Sequence, residues 1–167
     1  MVEYMEKFKK EILEYLSDNA RYTPEQLARM TGVTEEEVTA AIAQLEEDGV
    51  IVKYSAIINT EALHERNVQA LIEVKVAPQK LKGFDSYAED LYLFPEVTSL
   101  YLMSGTFDLA VFVEGKDITD ISKFVAEKLS VIDGITGVQT HFILKKYKIE
   151  GHVTKPSVDH ERQTIHQ

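Results

Sequence analysis

The stretch TPEQLARMTGVTEEEVTAAIAQLEEDGV, residues Thr23 to Val50, contains two helix starts of one kind, eleven residues apart. In Thr23-Pro24-Glu25-Gln26 the threonine hydroxyl can accept from a free backbone N–H of the first turn. Pro24 takes the first helical position, where a missing N–H costs nothing, and Gln26 reaches back to complete a capping box. Thr34-Glu35-Glu36-Glu37 repeats the box. Gly32-Val33 leaves room for a short turn between them. The spacing predicts a helix from Pro24 to about Thr31. It predicts a second helix through Val38, Ile42 and Leu45 that stops at Gly49, a residue suited to a left-handed C-terminal cap.

Toward the N-terminus, Met5, Phe8, Ile12, Leu13, Tyr15 and Leu16 fall on one stripe of a 3.6-residue helix. Toward the C-terminus come the β-branched run Val50-Ile51-Val52 and then Ser55-Ala56-Ile57-Ile58. Three short helices, the last two joined through a glycine turn and followed at once by such runs, read as a winged helix-turn-helix over residues 1–58. Residues 59–67 read as a linker. Beyond it the period falls to two, with Ala70, Ile72, Val74 and Val76 alternating with Leu71, Glu73 and Lys75 in a strand. Pro78 and Gly83 break the chain before an amphipathic helix through Phe84, Tyr87, Ala88, Leu91 and Phe94 that ends at Pro95. Val97 to Ser104 and Phe107 to Glu114 form two strands joined at Gly105-Thr106. A helix from Asp117 places Ile118, Ile121, Phe124, Val125 and Leu129 on its core face, and Ile135 to Tyr147 is a last strand. The order βαββαβ over 68–150 is the ferredoxin-like plan, an antiparallel sheet backed by two helices, so the fold class is α+β. Residues 151–167 read as a polar, disordered tail.

Composition narrows the function. At 44% apolar and 28% charged, the 167-residue chain has the balance of a globular protein with a real core. No apolar run approaches a membrane span and the N-terminus lacks the order of a signal peptide, so a cytoplasmic protein without membrane partners is expected. The absence of cysteine excludes disulfides, thiolate metal sites and cysteine nucleophiles. The histidines His64, His141, His152, His160 and His166 show no zinc-site spacing. Phosphate-binding glycine motifs and G-x-S-x-G are absent. Neither a metal, a resident cofactor nor an enzymatic activity is expected.

The joint order of Ile12-Leu13, Asn19-Ala20-Arg21, Leu27-Ala28, Gly32-Val33-Thr34, Leu45-Glu46, Gly49-Val50-Ile51 and Tyr54-Ser55-Ala56 resembles the DNA-binding half of the Lrp/AsnC family of bacterial and archaeal transcription regulators. Ser104-Gly105-Thr106-Phe107-Asp108 and Thr140-His141-Phe142-Ile143-Leu144 resemble the turn and the last strand of its second half, and the likeness spans roughly residues 4–150. The resemblance implies a regulator of amino-acid metabolism that binds double-stranded DNA. It also implies dimers paired through the sheets, higher oligomers, and a small-molecule effector, usually an amino acid, held between dimers. The positions tied to effector response match Leu102, Gly105, Asp108, Ile118, His141, Phe142 and Ile143, and Thr106 and Thr140 lie beside them. Gly105 could adopt a positive φ and let a ligand approach, and Asp108 could accept from a ligand ammonium. Asp bonding its own turn is the alternative.

One feature departs from the family. The outward positions of the third helix are Glu35, Glu36, Glu37, Thr39, Ala40, Ala43, Gln44, Glu46 and Glu47, without the arginine or lysine that phosphate neutralisation and guanine reading favour. Residues 1–63 hold six basic side chains against thirteen acidic ones, whereas the remainder holds twelve against fifteen. Two readings follow. In one, DNA is bound weakly per head through Thr34, Thr39 and Gln44 at base edges and Arg29, Lys53 and Lys7 to Lys10 at phosphates, with avidity from an oligomer. In the other, the head has lost DNA and the chain is a ligand-sensing or interaction module. A tetrapyrrole decarboxylase of the same two-domain plan is a third possibility, but a substrate rich in carboxylates wants several Arg and His, and of these residues 64–150 offer only Arg66, His64 and His141.

Overall fold

A computed structural model describes residues 2–60, 63, 67–77 and 83–154. Pro78, His64, most of the expected linker and residues 155–167 of the expected tail lie outside the described residues. The chain divides into two compact units, Met1–Ile58 and Asn59–Gln167.

The first unit is built from α1 (Val2–Asp18), α2 (Pro24–Thr31) and α3 (Glu35–Glu47). Both capping boxes form. The Gln26 N–H donates to the Thr23 hydroxyl at 3.2 Å while the Thr23 N–H donates to the Gln26 side chain at 2.9 Å. Thr34 and Glu37 repeat the exchange with the same two lengths. Gly32 ends α2 at φ 75° and Gly49 follows α3 at φ 68°, both in the left-handed region. Phe8, Ile12 and Leu16 of α1 meet Leu27 and Ala28 of α2 and Val38, Ala41 and Leu45 of α3 in one closed core. The wing differs from expectation. Val50 to Ile58 contains no strand and leaves Val50, Val52, Tyr54, Ile57 and Ile58 exposed. The N–H groups of Val50 and Ile51 donate to the Leu45 carbonyl, which anchors the start of this segment to α3. β-branched composition favours extended backbone, but a strand needs a partner across the ladder.

The second unit contains β1 (Val68–Val76), α4 (Phe84–Tyr92), β2 (Val97–Leu102), β3 (Leu109–Gly115), α5 (Ile118–Lys123, continued without a break by a wider turn over Phe124–Leu129) and β4 (Ile135–Phe142). The sheet is antiparallel in the order β2-β3-β1-β4, as the ferredoxin-like plan requires. Ala70, Ile72 and Val74 of β1 and Leu109, Val111 and Val113 of β3 point to one face, against Tyr87 and Leu91 of α4 and Ile121, Phe124 and Leu129 of the second helix. Leu71, Glu73, Ala110, Phe112, Gln139 and His141 point to the other, which none of the described helices of this unit covers.

Three sequence expectations change here. Ile118, expected on the core face, is 56% exposed, because the helix starts at that residue and Ile121 is the first side chain to turn inward. The last strand ends at Phe142, not Tyr147. The start of the expected tail is ordered: β5 (Lys148–Ile149) and β6 (His152–Val153) pair around Glu150 (φ 44°) and Gly151 (φ 85°), the two positive φ values that a tight hairpin turn demands.

Candidate functional site

Each unit carries one group of candidate residues. In the first, the rotation of α3 is fixed by its buried Val38, Ala41 and Leu45, so every outward position named above is exposed. Several candidate polar groups have local partners. Thr34 is the N-cap, and its hydroxyl serves Glu37. The Thr39 hydroxyl donates to the Glu35 carbonyl at 2.8 Å. Gln44 donates from its amide to Asp48 at 2.9 Å. Arg29 is paired with Glu25 one turn earlier on α2, so the guanidinium reaches the surface already sharing a carboxylate. Lys53 stands exposed on the extended segment. Beside it, the Tyr54 hydroxyl donates to the Glu46 carboxylate at 2.9 Å, and partial burial together with that carboxylate pushes the phenol above its ordinary value.

In the second unit the Gly105 turn lies at one end of the sheet. The Asp108 carboxylate accepts from the Val76 N–H at 2.9 Å, its own N–H donates to the Val74 carbonyl at 3.0 Å, and its carbonyl accepts from Met103. Asp108 therefore ties the β2–β3 connection to the end of β1, where the β1–β4 register shifts between Lys75 and Val76. Gly105 does not take the positive φ expected of it; a Cβ there would meet nothing within 4 Å, so the turn is open without strain. Leu102 and Thr106 are exposed beside it.

The other candidates lie elsewhere on the sheet. Thr140 pairs with Ile72 and His141 with Leu71, and the His141 Nε2 stands 3.2 Å from the Glu73 carboxylate on the open face. Phe142 and Ile143 lie further toward the start of β1, opposite Ala70 and bonded to Gln69 respectively. Ile118 follows the far end of β3, seven residues from its start at the Gly105 turn, a separation of about 20 Å at the rise of a strand. One chain thus brings Leu102, Gly105, Thr106 and Asp108 together and keeps Ile118 and His141 away from them.

Sequence reasoning missed a carboxylate site at the opposite end of the sheet. Glu114 accepts from Asn67 at 2.6 Å and from Gln69 at 2.5 Å; these bonds, with Lys146 nearby, hold its carboxyl below the usual range. Together with Ile143, Lys146 and Ile149 these residues line an open cleft of about 250 Å³. The pairing of Gln69 with Glu114 spans the β1–β3 register, which no local sequence signal reveals. Glu96 is held low by its bond to Lys128 at 2.5 Å, and the Lys128 ammonium also lies 5.6 Å from the Phe94 ring centre. Among the described residues no group of three or more His, Asp or Glu is placed to hold a metal ion, and no helix is long and apolar enough to cross a membrane.

Comparison with known proteins supplies the remaining observations. Residues 5–52 match a winged helix-turn-helix DNA-binding domain and residues 69–153 match the Lrp/AsnC ligand binding domain. YugG, an uncharacterized HTH-type transcriptional regulator of Bacillus subtilis, is 46% identical over 157 residues, covering 93% of this chain and 94% of that protein. The HTH-type transcriptional regulator LrpA of Pyrococcus horikoshii is 35% identical, with 82% and 94% covered. Among solved structures, the transcriptional regulator NMB0573 of Neisseria meningitidis, in complex with L-Met, superposes with a TM-score of 0.66 at 28% identity over 89% of this chain and 93% of that one.

Proposed function

Because the chain belongs to the Lrp/AsnC family of transcriptional regulators, and so carries a helix-turn-helix DNA-binding domain and a ligand-binding domain, we propose that it is a DNA-binding regulator whose assembly is set by an amino acid. In this reading residues 1–58 are the DNA-binding domain, 59–67 the linker and 68–150 the effector and oligomerisation domain. Arg29 and Lys53 contact phosphates and Thr34, Thr39 and Gln44 approach base edges. Leu102, Gly105, Thr106, Asp108, Ile118, Thr140 and His141 contribute to the effector site.

The observation that carries the effector assignment is the separation of those last residues within one chain. A site that uses both the Gly105 turn and His141 or Ile118 is completed only by another copy. Occupancy and assembly are then linked, because a ligand that binds only the assembled form shifts the population toward it. The uncovered sheet face, with Leu71, Tyr101 and Phe112, gives the copies an apolar surface on which to pair. The solved relative NMB0573, complexed with L-Met, supports an amino acid as the effector class.

Asp108 provides the test. Asp108→Asn keeps an oxygen for the Val76 N–H but removes the charge, whereas Asp108→Ala removes both. Titrating the protein with a panel of amino acids, read by sedimentation, is expected to shift the assembly of the parent chain. Asp108→Asn is expected to stay folded and lose that response at least tenfold, a difference of about 1.4 kcal/mol. An Asp108→Asn protein that responds like the parent assigns the carboxylate to the turn alone. Loss of all response in the parent removes the amino-acid assignment.

The reading as a DNA-free sensor has its own supporting observation: α3 lacks any basic residue and Arg29 is already paired with Glu25. DNA from upstream of the chain's own gene, compared with an unrelated fragment at low salt, separates the two readings. Preferential retention of the upstream fragment supports the regulator, and retention of neither supports the sensor.

A further inference from the structure

The cleft at the end of the sheet remote from the Gly105 turn draws its walls from a single chain. Gln69 and Glu114 line it from the sheet, Ile143, Lys146 and Ile149 from the segment that follows β4, and Leu63 from the linker. The backbone fixes that following segment. The Ile143 N–H donates to the Gln69 carbonyl at 2.8 Å, and Thr154 donates from its N–H to the Tyr147 carbonyl at 3.1 Å and from its hydroxyl to the Lys146 carbonyl. Two opposite charges line the cleft without touching. Glu114 is half-buried, and its two oxygens accept one amide N–H each, from Asn67 and Gln69, which keeps the carboxyl ionised and leaves lone pairs free on both. Lys146 is half-buried as well, and among the described residues no carboxylate forms an ion pair with it. A charge drawn partly out of water carries a desolvation cost that contact with an opposite charge offsets. A ligand with an ammonium and a carboxylate supplies both contacts at once. An amine alone leaves Lys146 unmet, and an acid alone leaves Glu114 unmet. Leu63, Ile143 and Ile149 add an apolar wall, and the cleft, at about 250 Å³, is smaller than the ~300–1,000 Å³ that drug-sized ligands fill, which restricts it to small metabolites.

We propose that this cleft is a second small-molecule site, which takes a zwitterionic amino acid with an apolar side chain, its ammonium on Glu114 and its carboxylate on Lys146. The site goes beyond the effector reading above and does not rest on it. Gln69 lies seven residues along β1 from Val76, which Asp108 holds, a separation of about 20 Å at the rise of a strand. The effector residues near the turn need another copy to converge, whereas the cleft is complete in one. Because Leu63 belongs to the linker, an occupant touches linker and sheet together and holds one against the other.

The test follows isoleucine and leucine methyl NMR signals of the full chain during titration with L-valine, L-leucine, L-methionine and L-phenylalanine. At least one of the four is expected to move the Leu63, Ile143 and Ile149 signals, in the parent chain and in Asp108→Asn alike. For the tightest of them, the decarboxylated amine and the deaminated acid are each expected to bind about tenfold more weakly or worse, since each gives up one charge-assisted contact. Lys146→Met keeps the stem and removes the ammonium, and is expected to raise the Kd of the amino acid about tenfold or more, while Lys146→Arg keeps it within about threefold. Cleft signals that stay still with all four amino acids overturn the proposal. So does an amine or an acid that binds as tightly as the amino acid, or a Lys146→Met protein that binds like the parent. Cleft signals that move while the assembly of the parent chain does not respond support this site and remove the one at the turn.

Discussion

Gly134 shows how little freedom a single position can have. Its φ is 90°, and a Cβ added there would stand 2.0 Å from the Tyr87 hydroxyl oxygen. That hydroxyl in turn donates to the Ala77 carbonyl at 3.3 Å, and the Ala77 N–H donates to the Gly134 carbonyl at 2.8 Å. The fully buried Tyr87 is thereby fixed beside the end of β1. Gly134→Ala combines a left-handed backbone penalty with overpacking and is expected to cost about 2–4 kcal/mol, measured by urea denaturation. Gly105→Ala, where no neighbour stands within 4 Å and φ is ordinary, is expected to change stability by less than about 0.5 kcal/mol. A loss for Gly105→Ala comparable to that for Gly134→Ala contradicts the open turn. The sequence singles out Gly105 and passes over Gly134, because the difference between them depends on what lies opposite each.

At the scale of elements, the segments with local causes were readable. Both capping boxes, the two left-handed glycines and the period-two alternation of β1 act over four to eight residues, and each element appears where those signals place it. The failures share the opposite cause. The wing residues have strand composition without a ladder partner, and β4 stops at Phe142 because its ladder with β1 closes at the Ala70–Phe142 pair, past which only the Ile143 N–H still reaches a β1 carbonyl, that of Gln69. Glu114 is a similar case, since Gln69 reaches it from the neighbouring strand β1 and Asn67 from the residue before that strand. Its lowered carboxyl pKa means the folded state holds the charged form better than the unfolded chain does, so it adds stability above the ordinary carboxylate range and loses it as pH falls through the lowered value. Glu114→Gln is expected to cost about 1 kcal/mol at pH 7 and to flatten the decline of stability as pH falls below the ordinary carboxylate range. An unchanged acid limb in urea denaturation series excludes Glu114 as a contributor.

Across the whole molecule, the balance of charge sets how DNA can be held. With six basic and thirteen acidic side chains in residues 1–63, long-range attraction to DNA is weak, and each available cation counts more than it would in a basic head. Lys53 is exposed on the segment that follows α3. Lys53→Glu is expected to weaken DNA binding at least tenfold at low salt and to reduce the slope of log affinity against log salt by about 1. Unaltered affinity across salt concentrations removes Lys53 from the interface. Fold and family followed from the order of elements along the chain, but the effector candidates did not resolve into a site, because the strand register that separates His141 and Ile118 from the Gly105 turn is set by long-range pairing that no local sequence signal carries.

The two hydrophobic clusters have no residue in common: one closes among Phe8, Ile12, Leu27, Val38 and Leu45, the other among Ile72, Tyr87, Leu91, Val111 and Leu129. Substitutions in separate cores add without coupling. Descendants of this chain can therefore exchange the outward residues of α3 without repacking the ligand-binding domain, and can reshape that domain without repacking the helix-turn-helix. The two domains are free to be inherited and altered separately.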